Sequence, residues 1–293
     1  MDWQIISEHI ALATGRAFKV VSAHPLAGGD INSAFRLQGD NEAYFIKLNR
    51  ADLAPMFAAE FVGLQELANT QTIRVPMPIV HGIARTHSFL VLEHIAFGAS
   101  NRTSERLLGQ QLARLHQQPM AYFGWHRDNT IGKTPQSNGH CADWPAFWRG
   151  QRLKIQLELA ARQGYKDTLQ ILGEQLCDGL AALFVNYQPQ PSLVHGDLWA
   201  GNAGVDLHGS PVIFDPACYY GDRETDLAMT ELFGGFGADF YAAYQAVWPL
   251  DEGYGVRKTL YNLYHLLNHL NLFGHSYLRQ AENAMARLLA ELR

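Results

Sequence analysis

The sequence predicts an α+β fold of two lobes, a small N-terminal lobe built on an antiparallel sheet and a larger, mainly helical C-terminal lobe. Three observations support this prediction. Short runs of β-forming residues occupy much of the first part of the chain, whereas helical periodicity dominates the rest. The 293 residues, 47% hydrophobic and 17% charged, suffice for a large buried core in two domains or one two-lobed unit. We therefore expect lobes over residues 1–95 and 96–293.

The small lobe is expected to begin with a helix over residues 4–13, where apolar residues recur at helical spacing before Gly15, a suitable C-cap. A second helix is expected over residues 56–69, followed by a Pro-punctuated loop over residues 75–78. β-Branched and aromatic runs predict strands in a sheet of five antiparallel strands. The runs are Phe18–Val21, Ser33–Leu37, Ala43–Leu48 and Phe89–Leu92.

The larger lobe is expected to begin with the helix whose apolar face runs from Leu107 to Leu115 and which Pro119 terminates. Further helical patterns cover residues 147–162, 169–185, 241–247, 260–273 and 282–292. Two short strand-like runs, Ser192–Val194 and Val212–Phe214, interrupt this helical region.

The loop between these two runs is the most informative segment of the chain. It reads His195-Gly-Asp-Leu-Trp-Ala-Gly-Asn202, and the second run delivers Asp215 at its end. Asp197 and Asn202 have the D-x-x-x-x-N spacing of a kinase catalytic loop. Phosphoryl transfer from Mg-ATP requires one carboxylate that takes the hydroxyl proton, and an amide oxygen and a second carboxylate that hold magnesium. We therefore predict Asp197 as the catalytic base and Asn202 and Asp215 as metal ligands, against the alternative of a polar surface turn.

The same loop resembles the fructosamine kinase (ketosamine 3-kinase) family, which shares the protein-kinase-like fold with aminoglycoside and choline phosphotransferases. The motif is H-G-D-L-W-x-G-N with D-P after the next strand, and its tryptophan separates it from the general aminoglycoside pattern. A second stretch agrees, and the resemblance extends from about Trp3 to the C-terminus. That stretch comprises Phe123-Gly-Trp125, Asp128-Asn129, Ile131-Gly132, Pro135-Gln136, Asn138, Trp144, Phe147 and Arg152-Leu153.

The resemblance implies an ATP-dependent kinase that uses Mg²⁺ and phosphorylates the 3-hydroxyl of ketosamines such as fructosamines or ribulosamines. The phosphoester is unstable and decomposes, which frees the amine and implies a role in repairing glycated proteins or metabolites. Two alternatives stay open: the same chemistry on an aminoglycoside, choline or another sugar, and a nucleotide-binding scaffold without turnover. Residues 229–293 carry six acidic and five basic residues, and this lack of acidic excess weakly disfavours polycationic aminoglycosides.

Lys47 resembles the strand lysine that contacts the α and β phosphates of the nucleotide and pairs with a glutamate on a helix. Glu60, thirteen residues further on, is the expected ion partner, although Glu66 is also near. The alternatives are an exposed strand lysine and a glutamate that serves only the solubility of its helix.

The remaining nucleotide contacts are expected from a turn and from the connection between the lobes. Gly28, Gly29 and Asn32 would cover the phosphates with backbone N–H groups, although the turn does not match G-x-G-x-x-G and could be an ordinary hairpin. This turn contains no cysteine, so the redox switch of some family members is not expected. The resemblance implies that main-chain groups of Glu93 and Ile95 bind adenine.

Four residues near or beyond the loop have less specific signals. His195 is expected to support the loop, and Asp226 resembles a buried aspartate that holds the loop backbone, or is a helix N-cap. Trp199 is expected to contact the acceptor, a sugar or a cationic amine, or else to pack. His265 and His269 have a spacing that can bind zinc, but no third ligand accompanies them.

Composition limits the possible partners and compartment. The net charge of −5 and the lack of a Lys/Arg run disfavour nucleic acid and a membrane surface. The N-terminus does not read as a signal peptide, and no apolar run approaches the roughly 18 residues of a membrane helix. Three widely spaced cysteines are typical of a reduced, cytoplasmic protein. We expect a monomer or a weak homodimer.

Overall fold

A five-stranded antiparallel sheet forms the small lobe, in the strand order β1-β2-β3-β5-β4. The computed structural model describes residues 2–26 and 31–292, so Gly28 and Gly29 of the expected phosphate turn lie outside the described residues. The strands are β1 Ser22–Leu26, β2 Ser33–Gln38, β3 Ala43–Arg50, β4 Pro78–Ala84 and β5 His87–Glu93, and the helices are α1 Trp3–Thr14 and α2 Ala54–Asn69. The predicted helix ending at Gly15 is confirmed, since Gly15 adopts a left-handed φ of 69° as the C-cap of α1.

The predicted strand at Phe18–Val21 is wrong, because the first strand begins at Ser22. The ring of Phe18 packs edge-on against Tyr44, and the N–H of Val20 donates to Ser7 Oγ at 3.2 Å. This run therefore attaches α1 to the sheet and meets β2 at its last residue, where the N–H of Val21 donates to Gln38 O at 2.8 Å. The true first strand contains Pro25, which an edge strand tolerates but which weakens the strand signal in the sequence.

The fifth strand, β4, was not located in the sequence. It begins at Pro78, inside the expected loop, and pairs with β5 through a register shift between Pro78 and Val80. Its burial is mixed, with fully buried residues at its two ends, so it lacks the alternation that identifies a half-buried strand.

The larger lobe is mainly helical, and the predicted fold class is confirmed. Its helices are α3 Arg102–His116, α4 Trp144–Trp148, α5 Lys154–Arg162, α6 Thr168–Gly179, α7 Glu224–Leu232, α8 Ala238–Val247, α9 Tyr254–Phe273 and α10 Leu278–Glu291. Its strands are β6 Asn129–Ile131, β7 Thr134–Gln136, β8 Ser192–Val194, β9 Ala203–Val205, β10 Pro211–Ile213 and β11 Tyr219–Gly221. Over the described part of the chain, every helix is too short or too polar to cross a bilayer.

Two predicted helices contain segments that are not α-helical in the structure. The helix expected over residues 147–162 consists of α4, a π-helical turn at Arg149–Leu153 and α5. That turn places the buried guanidinium of Arg152 over the rings of Phe147 and Tyr219, which explains its departure from α geometry. The helix expected over residues 169–185 is α6 followed by a 3₁₀ turn.

Three antiparallel strand pairs position the predicted loop within the helical lobe. β8 pairs with β11, β9 pairs with β10, and β6 pairs with β7. The loop at residues 195–202 leaves β8 and enters β9, so both of its ends are fixed by ladders. The lobe boundary at residue 95 stays a prediction; β5 ends at Glu93 and α3 begins at Arg102.

We predict that Gly109→Ala destabilises the protein by about 1–3 kcal/mol, the usual effect of overpacking. A Cβ atom at Gly109 would collide with the carbonyl oxygen of Phe240 and lie 3.0 Å from the nitrogen of Tyr244, because α3 and α8 approach closely there. Gly255→Ala is the matched control. Gly255 lies in the exposed first turn of α9 with nothing within 4 Å of the added carbon, so alanine should stabilise by up to about 1 kcal/mol. Urea unfolding measures both, and equal effects would contradict the close packing of α3 on α8.

Candidate active site

A cavity of about 560 Å³ lies between the sheet and the helical lobe. Both lobes contribute to its walls, which is the arrangement expected for a site that joins a nucleotide and an acceptor. Seven of the residues predicted to form the site line it: Asn32, Lys47, Glu60, Asp197, Trp199, Asn202 and Asp215. The structure therefore brings together side chains that are up to 183 positions apart, counting from Asn32 to Asp215.

A buried ion cluster centred on Lys47 joins the two lobes. Its Nζ lies 2.6 Å from Glu60 Oε1 on α2 and 2.6 Å from Asp215 Oδ1 at the end of β10. Glu66 instead accepts hydrogen bonds from Trp125 Nε1 and Tyr220 OH, both at 2.6 Å. Burial alone would lower the pKa of Lys47, but the charges of Asp215 and Glu60 raise it above its usual value. Lys47 is therefore a permanent cation in the cavity.

Asp197 and Asn202 contact each other within the loop. Asn202 Nδ2 donates to the main-chain oxygen of Asp197 at 2.9 Å and to its Oδ2 at 3.3 Å. Both amide protons are thus directed at Asp197, which leaves Asn202 Oδ1 free to bind a cation. Burial, and next the charge of Asp215, raise the pKa of Asp197 to about 7. Its carboxylate therefore takes up a proton far more readily than an exposed aspartate.

Asp226 fixes the backbone at the start of the loop. Its carboxylate accepts from the N–H of His195 at 2.7 Å and of Gly196 at 2.8 Å, and His116 Nε2 lies 3.0 Å from it. Burial would raise the pKa of Asp226, but the hydrogen bond and charge of His116 hold it below its usual range. Gly196 has φ +82°, and a side chain there would collide with the carbonyl oxygen of Ala217.

His195 connects the loop to the strand that carries Asp215. Its Nε2 lies 2.9 Å from the carbonyl oxygen of Phe214, and its Nδ1 accepts from the N–H of Asp197 at 3.3 Å. Burial lowers the pKa of His195, so the ring stays neutral and keeps these two roles. Asp215 follows Phe214 with φ +59°, a conformation that turns the chain sharply after β10.

Trp199 lies at the mouth of the cavity, with 39% of its surface exposed and its ring edge-on to Phe233 at 6.4 Å. The opposite wall comes from α9, whose His265 and His269 were noted in the sequence only for their zinc-compatible spacing and not as part of this site. It consists of His265, Asn268, His269, Leu272 and Phe273, with Tyr277 beyond the helix. The polar residues at i, i+3 and i+4 of a leucine-rich helix mark one face and could have revealed this wall.

Glu93 and Ile95, expected at the adenine, lie outside the set of residues that line this cavity. The N–H of Glu93 donates to Met77 O at 2.8 Å, and its carboxylate accepts from Arg74 Nη2 at 2.6 Å. Arg74 also pairs with Asp206 of the larger lobe, an interlobe contact that the sequence did not reveal. Glu93 pairs with Tyr44 in the sheet, and the Ile95 N–H has no backbone partner within residues 2–26 and 31–292. Adenine binding by these groups stays a prediction.

Metal ligation at the cavity depends on few side chains. Among the described residues, no cluster of three or more His, Cys, Asp or Glu side chains is arranged to hold a metal. Asn202 and Asp215 nevertheless offer two oxygen donors on the same wall. Such a pair suits magnesium, which usually completes its shell with water and phosphate oxygens.

The chain is similar to fructosamine kinases over almost its whole length. The model of the family described as fructosamine kinase matches residues 2–291. A protein of Synechocystis sp. named a probable ketoamine kinase is 48% identical over 290 residues, which cover 98% of this chain and 97% of that protein. The chloroplastic protein-ribulosamine 3-kinase of Arabidopsis thaliana is 43% identical over 269 residues, or 91% and 82% of the two chains.

Solved structures agree with the fold. A Haemophilus somnus protein assigned as a fructosamine-3-kinase superimposes with a TM-score of 0.90 at 29% identity, covering 98% of this chain and 97% of that one. A mutant of aminoglycoside phosphotransferase APH(4)-Ia, solved with ADP and hygromycin B, gives a TM-score of 0.64 at 16% identity, covering 98% of each chain. The second likeness shows the fold alone, and the expected protein-kinase-like fold is confirmed.

We predict that the Asp197 carboxyl titrates near pH 7 in the ligand-free protein, deprotonated above that pH and protonated below it. Asp215→Asn should lower the midpoint, because it removes the neighbouring negative charge that opposes ionisation. Asp239→Asn is the control and should leave the Asp197 midpoint unchanged, since Asp239 pairs with Arg102 and Arg106 on the surface. Carbon-13 NMR of aspartate-labelled protein, assigned with Asp197→Asn, gives the midpoints. An Asp197 midpoint near 4 would refute the described environment.

Proposed function

The chain belongs to the fructosamine kinase family, and from that membership we propose that it transfers the γ-phosphoryl group of ATP to the 3-hydroxyl of a fructosamine or ribulosamine. The observation that carries the proposal is the meeting of Lys47, Asp197, Asn202 and Asp215 at one cavity. These are the side chains that phosphoryl transfer to an alcohol requires. Decomposition of the unstable phosphoester would free the amine, so the proposed role is deglycation.

The donor set at the cavity fits magnesium. Asn202 Oδ1 and the Asp215 oxygen that does not face Lys47 are hard oxygen ligands of the kind that Mg²⁺ prefers. When bound, the ion would neutralise charge on the phosphate oxygens. Asp215 would then be shared between the ion and Lys47, whose ammonium group is already aimed at the nucleotide side of the cavity.

Asp197 is proposed to orient the accepting hydroxyl and to take its proton. Its raised pKa suits this role, because a base near neutrality accepts a proton from the hydroxyl more readily than an ordinary aspartate. The two hydrogen bonds from Asn202 to Asp197 tie these residues together. The proposed base and the proposed metal ligand therefore keep the same relative position. His195 and Asp226 are proposed to hold the loop and not to react.

The nucleotide is proposed to lie against the sheet. Lys47 would contact its phosphates, Asn32 and the glycines at 28 and 29 would cover them, and Glu60 would orient Lys47. Adenine would be bound by main-chain groups of Glu93 and Ile95, and the Ile95 N–H has no backbone partner among the described residues.

The opposite wall supports a ketosamine over a polycation. Apart from Asp197, the proposed base, the described residues on the side of Trp199 and α9 carry no carboxylate: Trp199, Met229, Phe233, His265, Asn268, His269, Leu272, Phe273 and Tyr277. Aminoglycosides carry several ammonium groups and need compensating acidic residues. A single secondary amine beside sugar hydroxyls suits aromatic faces and neutral polar groups. Free thiols at Cys141, Cys177 and Cys218 support action in the reducing cytoplasm.

The central test is nucleotide turnover with a panel of fructosamine, ribulosamine, aminoglycoside and choline acceptors. We expect turnover with ketosamines. Asp197→Asn should lower kcat by orders of magnitude and leave the dissociation constant of Mg-ATP nearly unchanged, because the base acts on the acceptor hydroxyl. Asp215→Ala should weaken Mg-ATP binding as well as turnover, since it removes a metal ligand. Near-normal turnover by Asp197→Asn would exclude this residue as the base.

We predict that Trp199→Ala raises KM for ketosamines about five- to tenfold, the loss expected for a stacked aromatic surface, with a smaller effect on KM for ATP. Tyr122→Ala is the control, because Tyr122 stacks on His140 outside the cavity and should leave both constants unchanged. Steady-state kinetics with ribulosamine decide the outcome. Unchanged kinetics of Trp199→Ala would mean that the ring only packs, and activity on kanamycin-like acceptors alone would refute the proposed substrate.

A further inference from the structure

His265 differs from the other buried histidines of this protein. The structure describes His116, His195 and His265 as buried. His116 and His195 each engage both ring nitrogens in hydrogen bonds. The His265 ring lines the cavity, is 4% exposed, and has an enclosed Nδ1 without a partner among the described residues. Nδ1 is enclosed and no bound molecule can reach it, so Nε2 is the ring nitrogen that a ligand in the cavity could contact.

The position of His265 in the cavity indicates which bound molecule it would contact. His265 lies on α9, on the same wall as Asn268 and His269, whereas the proposed nucleotide contacts lie on the sheet and α2. The acceptor therefore contacts α9. Trp199 of the loop lies next to this wall through Phe233, whose ring is 5.1 Å from that of His269.

The protonation state of the His265 ring indicates which group of the acceptor substrate it can bind. Burial, and next the neighbouring His269, lower the pKa of His265 to about 3, so the imidazole is neutral at physiological pH. A neutral imidazole has one donor and one acceptor and does not select an anion. Because Nδ1 is enclosed, only Nε2 can meet a bound molecule, and a sugar hydroxyl is an uncharged partner for it.

The enclosure of Nδ1 also selects the tautomer. Unpartnered N–H groups are rarer in protein interiors than unpartnered acceptors, so the proton belongs on Nε2. Nε2 makes no hydrogen bond within the described residues, and it is not enclosed as Nδ1 is. It is therefore the nitrogen that opens to the cavity.

We propose that His265 Nε2 donates a hydrogen bond to a hydroxyl of the acceptor sugar other than the one that is phosphorylated. This inference rests on the proposed ketosamine kinase activity and deepens it. His265 then determines which sugars the enzyme accepts, while Asp197 determines where the phosphoryl group goes.

The test is a cycle of variants against deoxy acceptors. The acceptors are one fructosamine, its 4-, 5- and 6-deoxy analogues, and the matching ribulosamine. For the parent protein, KM should rise about five- to tenfold for the one analogue that lacks the bonded hydroxyl, as expected for one neutral hydrogen bond. His265→Leu should raise KM for the intact fructosamine by a similar factor and should no longer distinguish that analogue. His265→Gln, whose amide N–H lies near the position of Nε2, should restore part of the discrimination.

The controls separate recognition from folding. Asn262→Leu removes an equally unpartnered polar atom from α9, outside the cavity, and should leave KM unchanged. KM for ATP and the midpoint of thermal unfolding should not fall in His265→Leu. The inference is wrong if His265→Leu distinguishes the deoxy analogues as the parent protein does. It is also wrong if this substitution shifts KM for ATP as much as KM for the acceptor. A parent protein without turnover on any ketosamine would refute the proposed function and this inference together.

Discussion

The cavity of this protein depends on one buried ammonium group shared by two carboxylates. Lys47 contacts Glu60 from its own lobe and Asp215 from the other, so the same ion cluster closes the cleft and organises its chemistry. Among the charged side chains that the structure describes on the cavity wall, Lys47 faces three carboxylates, Glu60, Asp197 and Asp215. Burial, and next the charge of Asp215, raise the pKa of Asp197, and the proposed magnesium would offset the negative charge that these carboxylates bring together.

The loop that carries the proposed base is held almost entirely through its backbone. Asp226 binds two successive N–H groups, His195 binds the carbonyl oxygen of Phe214, and the ladders of β8 and β9 fix its ends. The side chains of Asp197, Trp199 and Asn202 are therefore left to face the cavity. Because these supports are buried and hydrogen-bonded, the reacting groups do not have to be ordered when substrate binds.

The sequence reveals the local part of this site and hides the part made by tertiary contacts. D-x-x-x-x-N and the following strand lie within twenty residues, so their spacing alone predicts Asp197, Asn202 and Asp215. Glu60 was expected from the sequence with Glu66 as a near alternative, and packing decides between them, because Glu60 contacts Lys47 whereas Glu66 accepts from Trp125.

The strand placed at Phe18–Val21 fails for a related reason. Phe18 and Val20 are half-buried against Tyr44 and α1, and Val21 is exposed, so contact with a helix gives these residues the alternating apolar pattern that a strand would have. The contribution of α9 to the cavity could not be predicted, because its many leucines are typical of a core helix. The residues that its polar face meets come from distant segments of the chain.

The construction of α9 has a consequence for how acceptor range can diverge among relatives. One face of this helix, with Leu260, Leu263, Leu267 and Leu270, belongs to the core, while His265, Asn268 and His269 face the cavity. If these residues contact the acceptor as proposed, substitutions at the cavity positions would change the sugar that is accepted and leave the leucines of the core in place. One helix would then carry the residues that serve folding and those that serve substrate choice on different faces.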